Sequence, residues 1–193
     1  MLEAYVKKIL SSEVYDVAVE TPLEAAPFLS TRLNADVSFK REDLQPIHSF
    51  KIRGAYNRIV KLREHERERG VLAASAGNHA QGVALAASRL GIQATIVMGL
   101  NAPAIKIEAV QRLGAEVVLR GDTYDDAAQH AHALAERNGA TLVSPYDDPA
   151  VIAGQGTVGV EILNQHEGDP DAIFVPVGGG GLVAGIAAYV KYL

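Results

Sequence analysis

Alternation of short and long hydrophobic segments is the feature that most constrains the fold of this chain. From about residue 70 onward, runs rich in β-branched residues begin about every 22 to 25 residues, the length of one strand plus one helix. Parallel neighbouring strands need helical crossovers, so the alternation predicts an α/β fold with open, mostly parallel sheets flanked by helices. The predicted strands are Val71 to Ala74, Gln93 to Met98, Ala115 to Leu119, Ala140 to Val143 and Ala172 to Val177.

Helical periodicity fills the intervals between these strands. Glycine follows the first three helical segments, at Gly91, Gly114 and Gly139, where a helix C-cap favours positive φ. The predicted helices are His79 to Leu90, Pro103 to Leu113, Thr123 to Arg137 and Leu182 to Leu193. Earlier in the chain, Asp36 to Arg41 is a predicted strand, and an apolar stripe of Ala55, Ile59 and Leu62 predicts a helix that ends at Gly70.

Composition excludes several classes of function. The 193 residues include no cysteine, which rules out disulfides, thiolate metal sites and cysteine nucleophiles. With 18 Lys and Arg against 23 Asp and Glu, the net charge is -5, so we expect no nucleic-acid partner. The six histidines show no metal-ligand spacing, and we predict no metal site. No apolar run reaches the roughly 18 residues that a membrane span needs, and the N-terminus does not resemble a secretory signal.

Ligands of open α/β sheets bind beyond the carboxyl ends of the strands, and a glycine quartet follows the last predicted strand. Gly178 to Gly181 offers four unshielded backbone amides just before a helix, which is typical of a phosphate cradle. A flexible turn is the plain alternative. A second alternative is dinucleotide binding, because Gly179, Gly181 and Ala184 match the relaxed spacing G-x-G-x-x-A.

Two further segments could carry chemistry. Ser75 to Gly82 follows a strand and opens a helix, which suits a small carboxylate, although Ser75 or Asn78 could equally serve as an N-cap. Lys51 is flanked by Phe50 and Ile52, so a half-buried amine with a lowered pKa could condense with an aldehyde. The alternative for Lys51 is an ordinary surface lysine.

Taken together, four segments closely resemble threonine dehydratase, also called threonine ammonia-lyase. They are Gln45 to Asn57, Ser75 to Gly82, Gly154 to Thr157 and Gly178 to Leu182, and they occur in the family's order. The resemblance runs from about Val14 to the last residue and implies a fold-type-II, pyridoxal phosphate dependent enzyme of the tryptophan synthase β type. Gln45-Pro46-Ile47-His48 resembles the biosynthetic branch, which feeds isoleucine formation.

The resemblance also implies roles for individual residues. Lys51 would be the catalytic Schiff-base lysine, and Asn78 would bind the cofactor's ring hydroxyl. The substrate carboxylate would be received by Ser75, Gly77 and His79, and the cofactor phosphate by Gly178, Gly179, Gly180, Gly181 and Leu182. Family architecture implies a small domain at 43–146, with 1–42 and 147–193 forming part of a large domain.

The implied activity is deaminating dehydration of L-threonine to 2-oxobutanoate and ammonia, and the resemblance leaves L-serine open as a second substrate. The implied enzyme is a cytoplasmic homo-oligomer that acts on a small amino acid. Because family members continue past residue 193, we expect an incomplete large domain, exposed apolar surface and little or no turnover. Alternatives are a non-catalytic phosphate-binding module, activity of the serine racemase or serine dehydratase type, and a nicotinamide-dependent oxidoreductase.

Overall fold

A computed structural model of the chain describes residues 2–193. Residues 2–69 contain four α-helices, a 3-10 turn and one small antiparallel hairpin of β1 (Leu23–Ala25) and β2 (Ser38–Lys40), in which Leu23 lies opposite Lys40. The elements are α1 Leu2–Leu10, β1 Leu23–Ala25, α2 Pro27–Leu33, β2 Ser38–Lys40, a 3-10 turn Glu42–Leu44, α3 Lys51–Ile59 and α4 Glu64–Glu68. The strand predicted at Asp36 to Arg41 is therefore present as the shorter β2.

Four parallel strands form the second sheet, and their order across it is β5 (Glu116–Leu119), β4 (Ala94–Met98), β3 (Val71–Ala74) and β6 (Thr141–Leu142). The alternation of strands and helices predicted from the sequence is confirmed here, with boundaries shifted by only a few residues. Gly91, Gly114 and Gly139 have the positive φ that their C-cap positions require, at 67°, 90° and 69°. The elements are β3 Val71–Ala74, α5 Asn78–Arg89, β4 Ala94–Met98, α6 Ala104–Arg112, β5 Glu116–Leu119, α7 Tyr124–Asn138, β6 Thr141–Leu142, α8 Pro149–Gln165 and α9 Gly181–Val190.

Helices cover both faces of this sheet. Along β3, Val71 and Ala73 point into a large apolar core that includes residues of α3 and α5, whereas Leu72 and Ala74 point into a smaller core beneath α7. The side chains of successive strand residues alternate between faces, so all four residues of β3 are buried. The sheet is the mostly parallel, helix-flanked α/β arrangement that the sequence predicts.

Close helix crossings join α3, α8 and α9. A Cβ added at Gly154 in α8 would lie 2.7 Å from the carbonyl oxygen of Arg53 in α3, and one added at Gly185 in α9 would lie 2.5 Å from that of Ile152 in α8. Only glycine permits these backbones to approach so closely. Two glycines of the Gly154 to Thr157 motif therefore allow close packing on α8, Gly154 for α3 and Gly156 for α9.

A buried group of charges also links distant segments. Arg53 is fully buried and forms paired hydrogen bonds with Glu161, at 2.5 and 2.9 Å, and with Glu42, at 2.8 and 2.7 Å. Lys40 lies 2.6 Å from Glu161, and Tyr15 donates to the same carboxylate at 2.8 Å. Burial opposes ionisation of Glu161, but the hydrogen bonds and charge of Arg53 outweigh it, so the pKa of Glu161 is lowered.

Two predicted elements differ in the structure. The helix predicted to continue to Gly70 is two helices, because α3 ends at Ile59 and α4 begins at Glu64. Arg67 of α4 stabilises the break, because it donates to the carbonyl oxygen of Val60, the C-cap of α3, at 2.5 Å and to that of Leu62 in the connection at 2.9 Å.

The strand predicted at Ala172 to Val177 is also wrong. The hydrophobic pattern there is suitable for a strand, but no residue within 2–193 pairs with it, and a strand requires backbone hydrogen bonds from a neighbour. Phe174 and Val177 are 95% and 66% exposed. Within the same described part of the chain, no helix is long and apolar enough to cross a membrane.

Candidate active site

The first residues of α3 and α9 border one cleft of about 280 Å³. Phe50 and Lys51 form one side, the segment from Pro176 to Leu182 forms another, and Tyr146 forms a third. Because α3 and α9 both pack on α8, their N-termini are held at a fixed separation. The structure therefore brings Lys51 together with the glycine quartet, which lies more than 120 residues later in the sequence.

Lys51 is half-buried, as its apolar neighbours predict. Its Nζ donates a hydrogen bond to the carbonyl oxygen of Pro145 at 2.5 Å and lies 5.4 Å from the centre of the Phe50 ring. Burial lowers the pKa of the Lys51 amine, because the charged form loses solvation. A larger fraction of this amine is thus neutral, and hence nucleophilic, near pH 7 than for an exposed lysine.

Backbone geometry explains the glycines of the quartet. Gly180 has a φ of +86°, which favours glycine, and a Cβ at Gly179 would lie 2.2 Å from ring atoms of Tyr146. Gly180 precedes α9 as a cap without a side-chain hydrogen bond among the described residues, and Gly178 to Leu182 line the cleft, so no capping side chain occupies the amides at this helix end. With no charged residue from Pro176 to Leu182, the site suits an anion held by amides and by the helix dipole.

The loop that opens α5 lacks the N-cap that the alternative interpretation proposed. Gly77 is the capping residue and has no side-chain cap bond within residues 2–193, while Ser75 Oγ accepts from the Gly77 amide at 3.1 Å. Asn78 is exposed as the first residue of α5. It lies one turn before Gly82, where an added Cβ would be 3.1 Å from the carbonyl oxygen of Lys51, so Asn78 is on the helix face toward α3.

His79 is buried beside Lys51, with a relative exposure of 3%. Its Nε2 lies 2.9 Å from the carbonyl oxygen of Val143, and since a carbonyl only accepts, Nε2 carries the hydrogen. Nδ1 is then a bare acceptor, and it has no partner among the described residues. Burial lowers the pKa of His79 to about 4, despite the opposing effect of the Val143 carbonyl, and the charge of Lys51 lowers it further.

Ser75 lines a second cavity of about 250 Å³ at the carboxyl ends of β3 and β4. Its other walls include Asn101 and the segment from Asp122 to Tyr124. Three residues are predicted to receive a substrate carboxylate. Ser75, at this cavity, and Gly77, just before α5, are partly exposed, whereas the side chain of His79 is buried.

Sequence reasoning missed Pro145 and Tyr146. Pro145 accepts a hydrogen bond from Lys51, and Tyr146 packs on the quartet. They follow β6, so the search of loops at the carboxyl ends of strands could have found them. Arg53 was also missed, because the adjacent residues give no sign that its charge is buried with partners distant in sequence.

The fold and this cleft define a class of protein. The family model described as pyridoxal-phosphate dependent enzyme matches residues 14–193. The chain belongs to this family, and pyridoxal phosphate is the cofactor of the class. This assignment favours a phosphate at the quartet over the dinucleotide alternative.

Particular relatives are named threonine dehydratases. The chain is 61% identical to "Threonine dehydratase 1 biosynthetic, chloroplastic" of Solanum lycopersicum, over 97% of this chain and 31% of that protein. It is 55% identical to a biosynthetic L-threonine dehydratase of Burkholderia multivorans, over 97% of this chain and 38% of that protein. The chain thus spans about a third of the length of these curated relatives.

Solved structures agree in fold. The processed form of threonine deaminase isoform 2 from Solanum lycopersicum superposes with a TM-score of 0.97 at 54% identity, covering 100% of this chain and 53% of that one. Maize serine racemase superposes with a TM-score of 0.92 at 34% identity, covering 98% of this chain and 57% of that one. The fold-type-II architecture predicted from the resemblance is confirmed.

Proposed function

We propose that this chain carries the cofactor-binding site of a lyase that dehydrates and deaminates L-threonine. The observation that supports the proposal most strongly is the shared cleft, in which a half-buried lysine amine faces a glycine quartet at a helix N-terminus. The lysine amine matches the aldehyde of pyridoxal phosphate, and the quartet matches its phosphate. Gly178 to Leu182 would hold the phosphate, Lys51 would bind the aldehyde, and Asn78 would contact the ring hydroxyl.

Bound pyridoxal phosphate supplies an electron sink that stabilises negative charge at the substrate α-carbon. Lys51 contributes two properties to this chemistry. As a neutral amine it would hold the cofactor through its aldehyde, and as a free base it would be placed to accept the α-proton of the substrate. Amides at the start of α5, which have no side-chain cap among the described residues, suit the substrate carboxylate. They would hold the substrate in one orientation.

In the overall reaction, threonine loses its β-hydroxyl and α-proton as water, and water then releases ammonia to leave 2-oxobutanoate. The names of the relatives support threonine as the substrate, and the biosynthetic names agree with a role in isoleucine formation. The serine racemase structure is more distant, at 34% identity. Cytoplasmic location, a homo-oligomeric state and the domain boundaries at 42 and 146 stay predictions. Relatives from plants are named chloroplastic, and one from Saccharomyces cerevisiae is named mitochondrial.

Borohydride reduction of the chain with added pyridoxal phosphate tests the role of Lys51. We expect a covalent adduct that maps to Lys51 by mass spectrometry and disappears in Lys51→Ala, because Lys51 is the one lysine among the described residues that line the cleft. Lys61→Ala, which removes an exposed lysine of the same segment, should leave the adduct in place. An adduct of equal yield in Lys51→Ala would contradict the assignment.

Substrate choice can be tested without turnover. Addition of L-threonine before reduction should lower the yield of the Lys51 adduct, because the substrate amine displaces the lysine. D-threonine should have a much smaller effect, since the carboxylate-binding amides select one orientation. Equal protection by both enantiomers would argue against a specific threonine site.

A further inference from the structure

One short loop contacts each part of the cleft. The loop of Val143 to Tyr146, which joins β6 to α8, accepts a hydrogen bond from His79 through the Val143 carbonyl at 2.9 Å. It accepts another from Lys51 through the Pro145 carbonyl at 2.5 Å. Ser144 Oγ accepts from the amides of Tyr146 and Asp147, at 3.4 and 3.0 Å, which fixes the turn itself.

Tyr146, the last residue of this loop, packs against the glycine quartet. Its ring lies so close to Gly179 that a Cβ there would be 2.2 Å from ring atoms. Its backbone lies beside Gly181, where a Cβ would be 2.8 Å from the Tyr146 carbonyl oxygen. By contrast, nothing lies within 4 Å of a Cβ added at Gly178 or Gly180. The quartet thus has its closest packing against Tyr146.

We propose that Tyr146 is a positioning residue whose ring holds the glycine quartet in the conformation that presents its amides to the cofactor phosphate. Glycine-rich backbone is conformationally free, so amides that bind an anion well must be held by something outside the loop. The ring supplies a rigid surface at Gly179. The hydrogen bonds of the Val143 to Tyr146 loop hold that surface at a fixed position relative to Lys51. The inference rests on the proposed function and adds a residue to the phosphate site.

Comparison of two aldehydes separates this role from a general structural one. Pyridoxal phosphate and pyridoxal both offer an aldehyde to Lys51, but only the first carries a phosphate. In Tyr146→Ala the dissociation constant for pyridoxal phosphate should rise at least tenfold, while that for pyridoxal should change less than twofold. Both are measured by absorbance of the Lys51-bound aldehyde. Partial unfolding would weaken the binding of both ligands equally, so the ratio of their dissociation constants reports on the phosphate site alone.

Three variants complete the design. Tyr146→Phe keeps the ring and should retain the wild-type ratio. Gly179→Ala should reproduce the Tyr146→Ala phenotype, because its methyl group displaces the ring. Tyr124→Ala removes an exposed tyrosine at the second cavity and should leave the ratio unchanged.

Failure of the inference and failure of the proposed function give different results. If wild-type protein binds both aldehydes at Lys51 but Tyr146→Ala weakens both equally or neither, the role of Tyr146 is overturned alone. If wild-type protein binds neither aldehyde at Lys51, the proposed function is overturned and this inference with it.

Discussion

At the scale of single residues, burial changes what two side chains can do. Lys51 is an amine whose pKa is lowered because its charge would be poorly solvated, and this favours the neutral nucleophile. His79 is a neutral imidazole with one nitrogen bonded to Val143 and the other facing the protein interior. Both side chains are held by carbonyls of the Val143 to Tyr146 loop, so their chemistry depends on one short segment.

The buried imidazole predicts a pH-dependent stability. The pKa of His79 falls from 6.5, its ordinary value, to about 4 in the folded chain. As pH drops from 6.5 toward 4, the unfolded state gains a proton that the folded state does not, so the free energy of unfolding should decrease by up to about 3 kcal/mol. Above pH 6.5 this contribution is fully present. Denaturant titrations at a series of pH values measure the slope.

His79→Gln should reduce that slope, because glutamine can donate to Val143 without titrating. His132→Gln, at an exposed position of α7, is the matched control and should keep the wild-type slope. An unchanged slope in His79→Gln would assign the pH dependence to other groups.

At the scale of helices and strands, packing of α3 and α9 on α8 fixes the distance across the cleft. Glycines allow the backbones to touch, and the bonds of Arg53 to Glu161 join α3 to α8 in the buried interior. Lys51 and Gly181 begin the two packed helices, so the separation between the amine and the glycine quartet is set by helix packing.

Gly185→Ala tests this arrangement. The new methyl would lie 2.5 Å from the Ile152 carbonyl oxygen and 2.7 Å from the Gly156 amide nitrogen, and both are backbone atoms that cannot rotate away. We expect α9 to move from α8, with a loss of about 1 to 3 kcal/mol in the free energy of unfolding and weaker binding of pyridoxal phosphate. Ala184→Ser, at the adjacent exposed position of α9, should change both quantities little. Wild-type stability in Gly185→Ala would show that the crossing is loose.

At the scale of the whole molecule, the chain has a well-packed parallel sheet and an apolar segment, Ala172 to Val177, that is only half covered. Ile173 and Val175 pack on a small core of α8 and α9, whereas Phe174 and Val177 are exposed. The chain's 61% identity to a dehydratase extends over 31% of that protein, so most of the relative's length has no counterpart in this chain. The segment from Ala172 to Val177 has the hydrophobicity of a buried strand, yet Phe174 is 95% exposed. An exposed apolar segment of this kind favours association between chains.

Phe174→Ser should therefore reduce self-association. Light scattering over a concentration series should show a lower average mass for this variant than for the wild-type chain. Ile105→Ser removes a comparably exposed apolar residue of α6, 72% exposed, and should have a smaller effect. Equal masses for wild-type and Phe174→Ser at every concentration would show that this segment does not mediate association.

Local signals in the sequence determined much of this protein. Strand and helix periodicity, the C-cap glycines, the half-buried Lys51 and the glycine quartet all follow from neighbouring residues, and the motifs that resemble threonine dehydratase are equally local. These features depend on backbone preferences and on hydrophobic spacing, which a short stretch of sequence contains.

The tertiary structure alone decided the rest. Several contacts join residues that are far apart in the sequence. Tyr146 packs on Gly179, Lys51 donates to the carbonyl of Pro145, and Arg53 pairs with Glu161. The segment from Ala172 to Val177 shows the same limit, because its pattern favours a strand but a strand forms only where another backbone supplies hydrogen bonds. Burial and pairing are properties of the assembled chain, and so is the cleft that they create.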